Sequence, residues 1–218
     1  MLPNTNTPQS GFTIIELMLA ISIGLVVLSG LLQIFAATFK TSRDNISATR
    51  LDQELQAILT LITREIQRSG YNVDYLNNPE LNKYFFFSPR CIRYSYDSNL
   101  DGSISIAERY AFKFNASNKT IGFQERSTDC AKGRWNTLND KNTLLITDLT
   151  FSQQSLPICI NLINGSDCNL TPPSVDDLIL KKYKIKTSIA GNMKNNHYSK
   201  TLSTTVVIHN AIVETMIN

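Results

Sequence analysis

The sequence predicts an α+β protein: a long N-terminal transmembrane α-helix whose second half packs against an antiparallel β-sheet head. Three observations carry this. The run from Leu17 to Phe39 holds no charged side chain, and a helix needs roughly 20 mostly apolar residues to cross a bilayer. From Lys40 to Ser69 apolar residues return every three or four positions, the period of one helix face. After Gly70 that period gives way to short alternating runs rich in aromatic and β-branched residues, the pattern of half-buried strands.

The 218 residues divide into four parts: a leader over 1–11, an apolar helix over 12–39, its amphipathic continuation over 40–70, and a β-rich head over 71–218. One anchored domain is the natural expectation at this length. The net charge is +3 and no basic cluster stands out, so no nucleic-acid partner is required. The two histidines are His197 and His209. His209 lies in a strand-like run and reads as an ordinary surface or core residue. No Ser-His-Asp signature, phosphate loop or metal-hydrolase motif is present, so the chain reads as a non-enzyme.

Residues 1–11 are uncharged. The motif Gly11-Phe12-Thr13-Ile14-Ile15-Glu16 resembles a type IV prepilin processing site, which implies a scissile bond at Gly11-Phe12, ahead of the apolar run. A secretory signal has the opposite order, with its cleavage site after the apolar core. Cleavage after Gly11 would therefore leave the apolar helix on the mature chain. Gly11 carries no side chain to obstruct a protease. Glu16 sits at the edge of the apolar run, where a carboxylate costs a few kcal/mol unless it meets the interface or a partner. Two readings follow. Cleavage would free the amine of Phe12, and Glu16 would be an unpaired anion that a neighbouring subunit's amine neutralises, setting the register of assembly. Alternatively, Glu16 marks the interface end of the helix.

Within the run, Ala20 and Gly24 are four apart, with Ser22, Ser29 and Gly30 nearby. Small residues at this spacing let membrane helices approach closely, and they are equally common as ordinary residues of such helices. The first basic residues, Lys40, Arg43 and Arg50, follow the run. Positive charge alone would place the head in the cytoplasm. The cysteines and the cleavage motif place it outside, and the reading follows them.

Along the continuation, Ile46, Leu51, Leu55, Ile58, Leu59, Ile62 and Ile66 form the apolar stripe. Gly70 is the expected C-cap, with Arg64 and Arg68 in the favourable last turn. A helix from Phe12 to Ser69 would be about 87 Å long. The expected strands are Cys91–Tyr96, Arg109–Asn115, Thr120–Gln124, Leu144–Phe151, Leu178–Ile189 and Thr201–Val213, with a turn over 115–118 and a loop at Pro172-Pro173.

The cysteines are Cys91, Cys130, Cys159 and Cys168. They form no CxxC and lack metal-site spacing. Four in an exported head favour two disulfides. Of three pairings the reading takes Cys91–Cys130 and Cys159–Cys168, which would contribute ~4 and ~2.5–3 kcal/mol on the chain-entropy model. The alternative is four buried thiols in a cytosolic protein.

The stretch from Asp97 to Glu108 fits the twelve-residue calcium-loop pattern. Its oxygens would come from Asp97, Asn99, Asp101, the Ser103 carbonyl and Glu108, with Gly102 at the sharp turn. A structural Ca2+ ion pinning the loop is the expectation. The alternative is an Asp-Gly hairpin, favoured by flanks that look extended, so a helix-flanked EF-hand is not expected.

The motif Gly11-Phe12-Thr13-Ile14-Ile15-Glu16 resembles the processing site of type IV prepilins. Residues 64–71, the segment around Cys91–Gly102, the run 108–114, the Cys130 and Trp135 region and the last strand Thr204–Asn210 are similar to minor pilins of the PilW or prepilin peptidase-dependent protein B type. The resemblance implies a pilin-like fold, cleavage after Gly11 by a membrane prepilin peptidase, and N-methylation of Phe12. It implies insertion into a filament through Glu16, beside other minor pilins and the major pilin. The implied function is a minor pilin that primes pilus assembly from a place in a tip complex. The implied location is a single-pass inner-membrane protein with a periplasmic head, later carried into the pilus at the cell surface. A minor pseudopilin of type II secretion is the alternative, and a tip adhesin using loops such as 159–175 is a further one.

Overall fold

In the computed structural model, which describes residues 11–73, 85–127, 129–154, 158–172, 174, 178–194, 198–208, 210 and 212–215, the first element is helix α1, Ile14–Arg68. Leader residues 1–10, Pro173, His197 and His209 lie outside the described residues. The chain forms two units, Met1–Ile46 and Ser47–Asn218, and α1 contributes to both.

In the N-terminal unit the apolar side chains of α1 are exposed all round, Val26 at 71% and Phe35 at 69% among them. A stretch this apolar and uncovered by its own chain is long and apolar enough to cross a membrane. Its hydroxyls turn back on the helix: Ser22 donates to the Met18 carbonyl at 2.8 Å and Thr38 to that of Ile34 at 2.9 Å. Such bonds satisfy a polar group where lipid offers no partner.

In the second unit the expected stripe is the core. Leu51, Leu55, Ile58, Leu59, Ile62 and Ile66 are all buried. Ile46 departs from the expectation and is 65% exposed; the buried stripe begins at Leu51. The helix stops as expected. Gly70 takes φ +77°, a left-handed conformation that costs glycine little, and its N–H donates to the Ser95 carbonyl at 2.8 Å.

Eleven strands follow among the described residues: β1 Phe86–Ser88, β2 Cys91–Ser95, β3 Arg109–Asn115, β4 Thr120–Glu125, β5 Asn136–Thr137, β6 Leu144–Gln153, β7 Ile158–Asn161, β8 Leu178–Lys182, β9 Lys184–Met193, β10 Ser199–Val207 and β11 Ile212–Thr215. They form three antiparallel sheets, ordered β1-β2-β3-β4-β5, β10-β9-β6 and β11-β8-β7. Two expected long strands are each divided. Leu178–Ile189 breaks at Tyr183 into β8 and β9, and Thr201–Val213 breaks after Val207 into β10 and β11. Each division lets one sequence run serve two sheets. β1, β5 and β7 had no expectation.

The α1 stripe meets Tyr94 and Phe112 from the first sheet and Leu144, Leu149, Ile185 and Ile189 from the second. β9 crosses close to the helix at Gly191, where a Cβ would stand 3.1 Å from Leu55 Cδ2 and 3.1 Å from the Leu145 carbonyl oxygen. Only glycine gives that approach without displacing backbone. The cysteines pair as Cys91–Cys130 and Cys159–Cys168, with Cα separations of 6.3 and 5.3 Å. The first ties the start of β2 to the loop after β4. The second closes the turn that follows β7.

Candidate functional site

The N-terminal motif is a built helix start. Thr13 precedes the first residue of α1, and Glu16 stands three residues on. The Thr13 N–H and hydroxyl both donate to Glu16 Oε2, at 3.0 and 3.1 Å, and the Glu16 N–H donates to Thr13 Oγ1 at 3.3 Å. This reciprocal pair is a capping box, which satisfies backbone donors that a helix start leaves free. Thr13 thus gives Glu16 local hydrogen-bond donors, and neither donor carries a charge that would neutralise the carboxylate. The signal Thr-x-x-Glu was present in the sequence. Gly11 and Phe12 precede the helix, outside any regular element and exposed.

The 97–108 loop joins β2 to β3, whose ends pair at Ser95 and Arg109. Helices do not flank it; a single 3-10 turn, Ile106–Glu108, leads into β3. Asp97 and Glu108 are buried, and Gly102 takes φ +80°. Asp97 accepts from the Asp101 N–H at 3.2 Å and the Gly102 N–H at 3.0 Å. Glu108 Oε1 accepts from the Ser98 N–H at 2.8 Å, and Oε2 from the Ser105 N–H at 2.9 Å and hydroxyl at 2.9 Å. Asp101 accepts from the Ser103 N–H at 2.8 Å, and from Asn99 Nδ2 at 2.8 Å. Asp101 and Glu108 thus close the loop on its own donors, and Asp97 also accepts from the Val73 N–H beyond the loop at 3.4 Å. Burial pushes the Glu108 carboxyl up, but the donors at Ser105 and Ser98 outweigh it and hold the group below its ordinary range. The Ser103 hydroxyl and N–H, then Asn99, hold Asp101 below its range. The oxygen-rich residue set suits a hard cation in type. In arrangement, no three His, Cys, Asp or Glu side chains among the described residues gather as a metal-ligand group.

A third polar site had no sequence expectation. Glu65, on the side of α1 facing the first sheet, accepts from the hydroxyls of Tyr94 and Tyr96, both at 3.3 Å to Oε2. Arg68 reaches Glu65 Oε1 at 3.2 Å and lies 4.3 Å from the centre of the Tyr96 ring. Tyr94, Tyr96, Tyr110, Phe112 and Phe123 stack in series on the sheet. The signal for this link was weak, a charged residue one turn from the helix end beside a Tyr-x-Tyr strand.

None of these groups forms a nucleophile-base pair. The arrangement places a processing site and a helix start in open chain, ahead of an uncovered apolar helix, and ties the far end of that helix to a disulfide-braced head. The family model for the prokaryotic N-terminal methylation motif matches residues 6–32, and that for prepilin peptidase-dependent protein B matches residues 44–208. No curated protein and no solved structure matches the chain. The methylation motif implies processing by a prepilin peptidase, and the head's match covers most of the chain, so the chain belongs to the prepilin peptidase-dependent protein B family, a type IV pilin-like protein.

Proposed function

We propose that the chain is a minor type IV pilin that helps to start pilus assembly from a complex at the filament tip. The observation that supports this most is the position of Glu16, a carboxylate in the first turn of an apolar helix, just after Gly11-Phe12. Processing after Gly11 would free the Phe12 amine and methylate it. In the single subunit, Thr13 satisfies Glu16. Inside a packed bundle of helices water is excluded, and a charged amine is a stronger partner for a carboxylate than a neutral hydroxyl. The incoming amine would displace the Thr13 contacts and fix the new subunit's height.

On this reading the partners are the prepilin peptidase with its N-methylase activity, other minor pilins and the major pilin. The helix anchors the chain in the inner membrane with the head in the periplasm until assembly carries it to the surface. The head is structural, not catalytic. The 97–108 loop is assigned a structural calcium ion on its spacing, with Asp97, Asn99, Asp101, Ser103 and Glu108 as the residues that would hold it.

The test is deletion of the gene and complementation with the native chain. Loss of pili, twitching and DNA uptake on deletion, restored on complementation, supports the priming role. Intact pili with loss of protein secretion would assign the chain to a type II secretion pseudopilus instead.

A further inference from the structure

The second sheet ends at β10, and among the described residues no strand pairs with its outer edge. An exposed edge offers a row of free N–H and C=O groups, and proteins blunt such edges with lysines, prolines, bulges or a covering segment. β10 is nine residues long and pairs with β9 in unbroken register. It has no proline, and its one lysine is engaged by the helix: Lys200 Nζ reaches Asp52 Oδ2 at 3.3 Å in a partly exposed ion pair. The edge is uncharged from Thr201 to Val207.

β10 runs alongside α1 in the same direction. Lys200 meets Asp52 at the near end, and beyond the far end Asn210 Nδ2 donates to the Ser69 carbonyl at 3.1 Å. A groove of about 430 Å³ lies between Gln56, Thr60 and Arg64 of the helix and Leu202, Ser203 and Thr204 of the strand. A second, of about 560 Å³, continues over Ala57, Leu61 and Arg64. Leu61 is 43% exposed there. Arg64 lines both, and among the described residues its guanidinium has no carboxylate, carbonyl or ring partner, whereas Arg50 and Arg68 are each paired with a glutamate.

We propose that the open edge of β10 and the groove beside it receive an extended segment of a partner protein as a fourth strand, with a carboxylate of that segment on Arg64. Main-chain bonds to β10 would supply affinity and the side chains over Leu61 and Arg64 would supply selection, as in other strand-addition complexes. The charge balance selects this occupant over a second copy. The groove's one uncompensated charge is positive, and β10 itself carries no acid to meet it. This inference does not depend on which filament or machine the chain serves.

The full-length chain in detergent micelles, mixed with two labelled nine-residue peptides of alternating threonine and valine, tests it. One peptide carries Glu at its centre and the other Lys. Fluorescence anisotropy reads binding and amide hydrogen exchange reads its place. The Glu peptide should bind about fivefold more tightly than the Lys peptide, the range of one exposed ion pair, and should slow exchange within residues 200–206. Arg64→Glu, on an exposed helix position that leaves the fold intact, should reverse the preference. Three results would overturn the proposal: no slowing within β10, an unchanged preference in Arg64→Glu, or β10 amides already protected in a dimer without peptide.

Discussion

The N–H and hydroxyl of Thr13 converge on a single oxygen of Glu16, at 3.0 and 3.1 Å. Glu16 therefore has two separable duties. It caps the start of α1, and it supplies a negative charge to an apolar surface. Glutamine can still accept the Thr13 bonds at the third helical position, but it carries no charge. Glu16→Gln should thus preserve membrane insertion, measured by fractionation, and lose incorporation into sheared filaments, measured by immunoblot. Glu16→Ala should lose incorporation as well. Native incorporation of Glu16→Gln would remove the charge pairing and leave the cap as the residue's only duty.

Processing makes a sharper chemical prediction. Mass spectrometry of the mature chain should find an N-terminal phenylalanine carrying one methyl group, from Phe12. Gly11→Val places a branched side chain at the scissile bond, and the leader should stay attached. A mature chain that still begins at Met1 in the native sequence would sink the reading.

The long helix was legible because its two periods are strong. An uncharged run and then a stripe from Leu51 to Ile66 need no tertiary information. The end at Gly70 was equally local, since a left-handed residue after the last turn is a property of the residue itself. The sheet was less legible. Tyr183 and the break after Val207 divide runs that look continuous, because whether a strand changes sheet depends on what it packs against and not on its own alternation. At the site, the Thr13 cap was legible as Thr-x-x-Glu at the start of the apolar run. The Glu65 link was not legible, since it joins residues about thirty positions apart and depends on the first sheet lying against α1.

That link predicts a response to alkali. Burial, and then the neighbouring Glu65 charge, push the Tyr94 hydroxyl well above its ordinary value of 10.0. Tyr96 is pushed up by the same causes in the same order. A raised value means that the folded state holds the proton more tightly than the unfolded one. Its contribution is whole below about pH 10 and is lost as pH rises past that value. Thermal melts from pH 8 to 11 should show stability falling at the top of the range. Tyr94→Phe should cost about 1 kcal/mol at pH 8 and make that fall shallower, because one of the two raised hydroxyls is gone and Tyr96 remains. An equally steep fall in the variant would place the alkaline transition elsewhere.

Glu108 predicts the opposite limb. Its carboxyl lies below the ordinary 4.5 in the folded chain, so its contribution is present above that value and is lost as pH falls beneath it. The donors it gathers from Ser98 and Ser105 make the ionised form the one the loop requires. Glu108→Gln replaces a charged acceptor by an amide whose NH2 faces other donors, and should cost about 2 kcal/mol at neutral pH. In chelated buffer the variant should also flatten the acid limb below pH 4.5. The same protein serves for the calcium assignment. With millimolar calcium the native chain should melt higher than in chelator, and Glu108→Gln and Asp97→Asn should abolish the difference. The two measurements separate cleanly. An acid limb with no calcium response would leave Glu108 as the clasp of a hairpin that needs no metal, because its own backbone N–H groups already supply the positive ends that the carboxylate seeks.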